Sequence, residues 1–220
     1  MKYSDCRIQV FARAPVAGEV KTRLHPLLGP AGSAELHACL VRHTLEKLAN
    51  AHLCPLELWC TPGCEHPFFA HCHRDHDLSL HRQPAGDLGE RMYGALAAAL
   101  CHCRAAILVG TDCPALAPED IDAGCRALQT GSDIVLGPAT DGGYYLVGMH
   151  TARRALFTGI DWGGSAVLAQ TLAQAGKLGL RVKLLERHDD LDTPADYRRL
   201  LRAGLLPTQC VVASTGAAGD

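Results

Sequence analysis

The chain has 220 residues, 48% hydrophobic and 20% charged, with a formal net charge of −2 from 21 basic and 23 acidic side chains. This length suits one sizeable domain, and the near-neutral balance argues against a nucleic-acid-binding module, which carries a basic stripe. No uncharged apolar run reaches the roughly 18 residues of a membrane span, and Asp5 precedes any long apolar run, so neither a membrane span nor an export signal is expected.

Residues 8–11 are a short apolar run ahead of a Pro/Gly loop, which suits a buried first strand. In residues 31–51, Leu36, Leu40, Val41, Leu45 and Leu48 recur at three- and four-residue steps and predict a helix. Residues 56–60 and 78–82 read as the second and third strands. Residues 87–103 read as a helix, with Asp87 as N-cap and Glu90 at capping-box spacing. Residues 105–109 (AAILV) are continuously apolar and suit a central strand buried on both faces. Pro and acids open a helix over 118–129. Strands are expected at 134–136, 144–148 and 180–185, and helices at 165–175 and 194–202. This alternation predicts an α/β fold: a mostly parallel sheet covered by helices on both faces, a three-layer sandwich, in one domain over residues 1–207. Residues 208–220, rich in small side chains, read as a fraying tail.

In such sheets ligands bind at the carboxyl ends of the strands, so the loops there matter most. The loop after the first strand carries Arg13, Gly18, Lys21 and Arg23, three cations and a flexible glycine suited to phosphates. It lacks the spacing of a Walker A loop, and a solvated basic loop is the alternative. After the central strand comes Gly110-Thr111-Asp112-Cys113-Pro114. Asp112 there is placed to ligate a hard divalent cation, or simply to cap a turn. Cys113 is a weaker candidate nucleophile. In Asp141-Gly142-Gly143-Tyr144-Tyr145 the glycines allow close approach to a ligand. Asp141 can bind sugar hydroxyls or metal, or act as a base, and Tyr144 can stack. A tight Asp-Gly hairpin turn explains the same residues. Asp189-Asp190-Leu191-Asp192-Thr193-Pro194 holds more acids than a helix cap needs, and Asp192 is a candidate metal ligand or N-cap. In residues 83–92 the cap explains Asp87 and Glu90 but not Arg91, which suits a base or ribose.

The 11 cysteines, with no export signal, read as cytosolic thiols rather than a disulfide framework and imply a cytoplasmic location. Residues 54–76 crowd together Cys54, Cys60, Cys64, His66, His71, Cys72, His73 and His76. Only Cys60 and Cys64 approach zinc-ligand spacing, so a surface loop is the default and a zinc site the alternative.

Five stretches occur in order: FARAPVAGEVKTRL, QPAGDLGERM, LVGTDCPAL, VLGPATDGGYYLVG and DLDTPADYRRL. Together they resemble a bacterial family of GT-A-like transferases, described as uncharacterised or as arsenosugar-biosynthesis-type (radical-SAM/selenodomain-associated) glycosyltransferases. The resemblance covers residues 8–202. It implies a nucleotide-diphospho-sugar transferase fold, which small nucleotidyltransferases share. It further implies that Lys21 and Arg23 hold nucleotide phosphates, and that Asp112 and Asp192 ligate Mg²⁺ or Mn²⁺, with Asp192 favoured over Asp190. Lys more often stands in the family where this chain has Arg13, with the charge kept. Pro114 replaces the second acid of the Asp-x-Asp common in glycosyltransferases of this fold, a departure toward nucleotidyltransferases.

The leading expectation is a metal-dependent transferase acting on a nucleotide or nucleotide-sugar and an unidentified small acceptor. Lys21, Asp112 and Asp141 form its catalytic set. Arg13, Gly18, Arg23, Asp87 and Arg91 bind the nucleotide beside Lys21, while Asp141, Gly142, Gly143 and Tyr144 line the acceptor or sugar side. Nucleotidyl transfer from a triphosphate, with release of pyrophosphate, is the alternative. A nucleotide-binding domain without turnover, or a zinc-binding interaction module on residues 54–76, are the non-enzymatic ones.

Overall fold

The computed structural model describes residues 1–211 and places seven strands in one sheet. These are β1 (Cys6–Arg13), β2 (Leu56–Thr61), β3 (Leu78–Arg82), β4 (Ala105–Val109), β5 (Ile134–Pro138), β6 (Tyr144–Met149) and β7 (Val182–Leu184). The helices are α1 (His25–Ala51), α2 (Pro67–Asp75), α3 (Leu88–Leu100), α4 (Pro118–Gln129), α5 (Val167–Lys177) and α6 (Pro194–Arg202). The sheet order is β3-β2-β1-β4-β6-β5-β7. All pairings are parallel except those of β6, which runs antiparallel to both β4 and β5. The expected mostly parallel sheet is therefore present, with one reversed strand. The five residues 139–143 between β5 and β6 suffice for a hairpin but are too few for a parallel crossover, which needs about a dozen or more.

β4 is buried along its whole length, as its unbroken apolar run demands. Ile107 and Val109 face one core with Ile8 and Val10 of β1, Val41 and Leu45 of α1, Phe69 of α2 and Ile121 of α4. Ala106 and Leu108 face the other, with Met92 and Leu96 of α3 and Ala175 of α5. This alternation puts helices on both faces and makes the three layers. Gln9, fully buried in β1, is accommodated because its side-chain amide donates to the Ala95 carbonyl at 2.9 Å and to Glu57 at 3.0 Å. A third cluster packs the start of α1 against α6 and a 3-10 turn at Thr208–Cys210.

Three expectations need correction. The first helix starts at His25, but Gly29 (φ 68°, ψ 172°) interrupts it, so the helix predicted from residue 31 corresponds to its second segment, with Pro30 as its opening residue. Residues 54–76 are not simply a loop: Pro67 starts α2, His66 caps it by accepting from the Phe68 N–H at 3.2 Å, and Phe69 and Cys72 are buried. The cysteines are not all thiols, since Cys39 and Cys210 form a disulfide with Cα atoms 5.4 Å apart. Their 171-residue separation hides the pairing from the sequence. Residues 208–211 of the expected tail thus pack on α1, and residues 212–220 lie outside the described residues.

Phe69 is fully buried. Phe69→Ala is expected to cost about 3–5 kcal/mol, as for buried Phe generally. Chemical denaturation checks this, and a loss under about 0.5 kcal/mol, the surface value, would detach α2 from the core.

Candidate functional site

Three loops meet around Lys21 at the carboxyl edge of the sheet. Lys21 adopts a left-handed backbone (φ 48°, ψ 41°) in the β1–α1 loop. Its ammonium pairs with Asp112 Oδ1 at 2.8 Å and Asp192 Oδ1 at 3.0 Å, and donates to the Leu191 carbonyl. Asp112 lies just past β4, and Asp192 just ahead of α6. The Leu191 N–H donates to the Asp112 carbonyl at 2.8 Å, joining the two acidic loops directly. The Lys21 side chain is 4% exposed, whereas those of Asp112 and Asp192 are 49% and 43% exposed, so the carboxylates can still meet a ligand.

Burial alone would lower the Lys21 pKa, but the two carboxylates outweigh it and hold the ammonium above the ordinary lysine range. Burial likewise pushes Asp112 up, yet the ammonium beside it holds its carboxyl below the usual carboxylate range. His37 of α1 steadies the same loop: burial lowers its pKa, and the neutral ring donates from Nε2 to the Arg13 carbonyl at 2.9 Å.

Beside this triad opens a cleft of about 450 Å³, lined by Arg13, Arg91, Asp112, Asp141, Gly143, Tyr144, Asp190 and Asp192 among others. The Asp-Gly turn is formed: Asp141 Oδ1 accepts from the Gly143 N–H at 2.7 Å. Gly142 has φ 94°, and a Cβ there would lie 2.0 Å from the Ser165 carbonyl oxygen, so the hairpin seats on the loop before α5 only as glycine. Tyr144 meets Trp162 edge-on, ring centroids 6.4 Å apart, along the cleft wall. Arg91 is oriented by donating to Gln83 Oε1 at 3.1 Å.

Several expected residues also make other contacts. Asp87 accepts from the Glu90 N–H at 2.9 Å and caps α3 rather than lining the cleft. The Arg13 guanidinium is half-exposed and pairs with Glu19 at 3.2 Å. Arg23 is 69% exposed and sits 3.8 Å from Asp192, in a smaller hollow it shares with Lys21, Arg13 and Asp112. Gly18 (φ 90°) and Gly142 shape their loops without lining the cleft. The Lys21 ammonium stands paired with two carboxylates rather than free. Cys113 is buried, which pushes its thiol up to about 12 and makes it a poor nucleophile. Among the described residues no three Cys/His side chains of 54–76 come together as metal ligands; the group of three is Cys6, Cys54 and Cys125, of which only Cys54 belongs to that stretch.

Asp190, which the family resemblance places second to Asp192, has a buried carboxylate oxygen where Asp192 is 43% exposed. Burial, and then the neighbouring Asp141, raise its pKa to about 7, and its buried Oδ1 has no hydrogen-bond partner. The density of acids in 189–192 was the available signal. Nothing local marks His37, Gln83 or Trp162. Asp112, Asp141, Asp190 and Asp192 offer the oxygen donors that Mg²⁺ or Mn²⁺ prefers, and the unpartnered Asp190 oxygen is free to meet such an ion, but among the described residues no three of these carboxylates bring their oxygens within 4.8 Å of one another.

A family model described as "Uncharacterized protein conserved in bacteria (DUF2064)" matches residues 44–164. The chain belongs to the DUF2064 family. A crystal structure from Desulfovibrio desulfuricans G20, named provisionally as a nucleotide-diphospho-sugar transferase, is 33% identical over 91% of this chain and 88% of that one, with a TM-score of 0.83. Two more distant structures share the fold. A cytidylyltransferase from Leptospira borgpetersenii is 13% identical over 96% of this chain and 91% of its own, with a TM-score of 0.58. The glucosyl-3-phosphoglycerate synthase of Mycobacterium tuberculosis, in complex with Mn²⁺, UDP and glucosyl-3-phosphoglycerate, is 12% identical over 97% and 82%, with a TM-score of 0.54. The DUF2064 fold is thus shared by glycosyltransferases and nucleotidyltransferases. Among curated proteins none matches the chain. No helix among the described residues is long and apolar enough to cross a membrane.

A carboxyl raised from 3.8 to about 7 on folding stabilises the fold below pH 3.8, and that contribution is lost as the pH rises through 7. In chelator-treated DUF2064 protein, Asp190→Asn is therefore expected to raise stability above pH 7 relative to wild type and to flatten its pH dependence between 4 and 7. Unfolding midpoints across that range decide it, and parallel curves would refute the assignment.

Proposed function

We propose that this DUF2064 protein is a metal-dependent transferase that uses a nucleotide-sugar donor. The observation that carries this reading is the pair Asp112 and Asp192, held together by the buried Lys21 ammonium and lining a cleft of about 450 Å³ at the carboxyl edge of the sheet. Ligands of doubly wound sheets bind there, next to the point where the strand order turns back, here between β1 and β4. The similarity to the Desulfovibrio structure supports a nucleotide-diphospho-sugar as the donor class.

In this reading Asp112 and Asp192 hold Mg²⁺ or Mn²⁺, with Asp190 beside them. The ion, when bound, neutralises phosphate oxygens as a Lewis acid. Arg13 and Arg23, half or more exposed, meet the diphosphate, and Arg91 reaches the ribose or base. Lys21 keeps the two acidic loops in place while it lowers their mutual repulsion. Tyr144 and Trp162 form the wall against which the sugar or acceptor packs. An acceptor hydroxyl attacks the anomeric carbon, the bond from that carbon to the diphosphate oxygen breaks, and the nucleoside diphosphate leaves. Asp141, beside Asp190 on the cleft wall, takes the hydroxyl proton.

One observation favours a second reading. Pro114 stands where an Asp-x-Asp would place its second acid. The single Asp112 suits attack of a phosphorylated acceptor on the α-phosphorus of a nucleoside triphosphate, with pyrophosphate as leaving group.

A thermal-shift panel of nucleoside triphosphates and nucleotide-sugars, with and without Mg²⁺ or Mn²⁺, separates these readings. A ligand at 100 times its Kd adds about 2.7 kcal/mol, a shift of about 5–11 °C at this size. Metal-dependent stabilisation by one nucleotide-sugar supports glycosyl transfer. Stabilisation by a triphosphate alone moves the protein to nucleotidyl transfer, and binding without metal-dependent turnover makes it a binding domain. Asp112→Asn is expected to abolish turnover and to lower stability without unfolding the protein, since Asp192 still faces the Lys21 ammonium. Near-normal turnover in that variant, measured by release of nucleoside diphosphate or pyrophosphate, would remove Asp112 from the metal site.

A further inference from the structure

At the opposite, amino-terminal edge of the sheet, three thiols from distant parts of the chain come together. Cys6 opens β1, Cys54 lies in the turn between α1 and β2, and Cys125 sits on α4. Their sulfurs are 3.7 Å (Cys6 to Cys125) and 3.8 Å (Cys54 to Cys125) apart, and all three lie within 4.8 Å of one another. All three are unpaired cysteines and at most 4% exposed.

These separations are those a metal requires. Zinc–thiolate bonds of about 2.3 Å put sulfurs about 3.8 Å apart in a tetrahedral shell and about 4.0 Å apart in a trigonal one. Soft thiolates select zinc(II) and copper(I) over hard cations. A way in also exists, because Cys6 and Cys125 border a surface cleft of about 720 Å³. Two other candidate ligands on that cleft are engaged elsewhere. The His150 ring nitrogens contact the Arg104 and Leu128 carbonyls at 2.7 and 2.9 Å, and the Cys103 thiol donates to the Ala99 and Ala105 carbonyls. Arg7 donates to the Cys6 carbonyl at 3.3 Å, which sets a positive charge beside what would become an anionic centre.

We propose that Cys6, Cys54 and Cys125 form a three-thiolate site for a thiophilic closed-shell cation, zinc(II) or copper(I), with its remaining face toward the cleft. Binding breaks three S–H bonds, releases three protons and forms three metal–sulfur bonds, with no change of oxidation state. The site is separate from the carboxylate cleft and draws on a different preference, sulfur rather than oxygen. It ties the first strand, the turn into the second and α4 together at one point.

The test uses the reduced full-length protein, titrated with zinc(II) and separately with copper(I) against a chromophoric chelator of each. The expected result is one equivalent of either ion bound per chain, with X-ray absorption of the wild-type complex reading three sulfurs. The tighter ion identifies the occupant. Cys125→Ser is expected to weaken binding more than about a hundredfold, since even a supporting residue outside the ligand shell costs 10- to 100-fold. The triple variant Cys60→Ser/Cys64→Ser/Cys72→Ser is expected to bind as wild type. Failure to retain either ion against the chelator, a shell of four sulfurs or of mainly nitrogen and oxygen, or unchanged affinity in Cys125→Ser would each overturn the site. The absorption measurement needs no variant, so it stands even if Cys125→Ser fails to fold.

Discussion

A buried ammonium has to be satisfied, and in this fold the obligation falls on Lys21. Desolvating a charge costs several kcal/mol unless opposite charge and hydrogen bonds surround it. Lys21 finds both only because Asp112, Asp192 and the Leu191 carbonyl arrive from two other loops. The β1–α1 loop, the turn after β4 and the approach to α6 are therefore positioned by one shared requirement. Removing any partner leaves uncompensated charge at the edge of the sheet. The same arrangement keeps two carboxylates close together in the absence of a cation, with the lysine supplying the positive charge that they need.

The reversed strand β6 serves this centre in a different way. By returning antiparallel between β4 and β5, it delivers the 139–143 turn to the same edge as Asp112. Asp141 thus faces Asp190 although 49 positions separate them. An all-parallel sheet would have carried that loop through a long crossover. The hairpin instead fixes it with a two-residue Asx contact and a glycine pressed on Ser165. Rigid placement by short connections is what lets acidic groups of like charge share a small space, where burial first and the neighbouring carboxylates second raise the Asp190 carboxyl.

Much of this was legible from local signals. The apolar run of β4, the Pro-led α4 and α6, and the Asp87 cap each declare themselves within a few residues, and their bounds follow. Gly29 did not, because a break inside a periodic stretch leaves the periodicity on its far side intact. Nor did α2, whose histidines and cysteines obscure the two buried positions, Phe69 and Cys72, that seat it. Within the site, Asp112, Asp141 and Asp192 were visible as acids in loops after strands. The burial of Lys21 was not, since it depends on residues 91 and 171 positions away. The pairings of Cys39 with Cys210, and of Cys6 with Cys54 and Cys125, are long-range for the same reason.

The β1–β4 register has a consequence for how the molecule assembles. Val10 pairs with Val109, so the centre of the sheet closes only after roughly a hundred intervening residues have been gathered in. Pairings of such separation are slow, because loop-closure entropy must be met before the contact rewards it. The β5–β6 hairpin, by contrast, needs only its own neighbours. Lys21 and Asp112 sit in the loops that follow the two late-pairing strands, and Asp192 joins them from near the end of the described chain. The cleft therefore reports completion of the whole fold, and a partly folded chain carrying a formed hairpin would have no ligand site to offer.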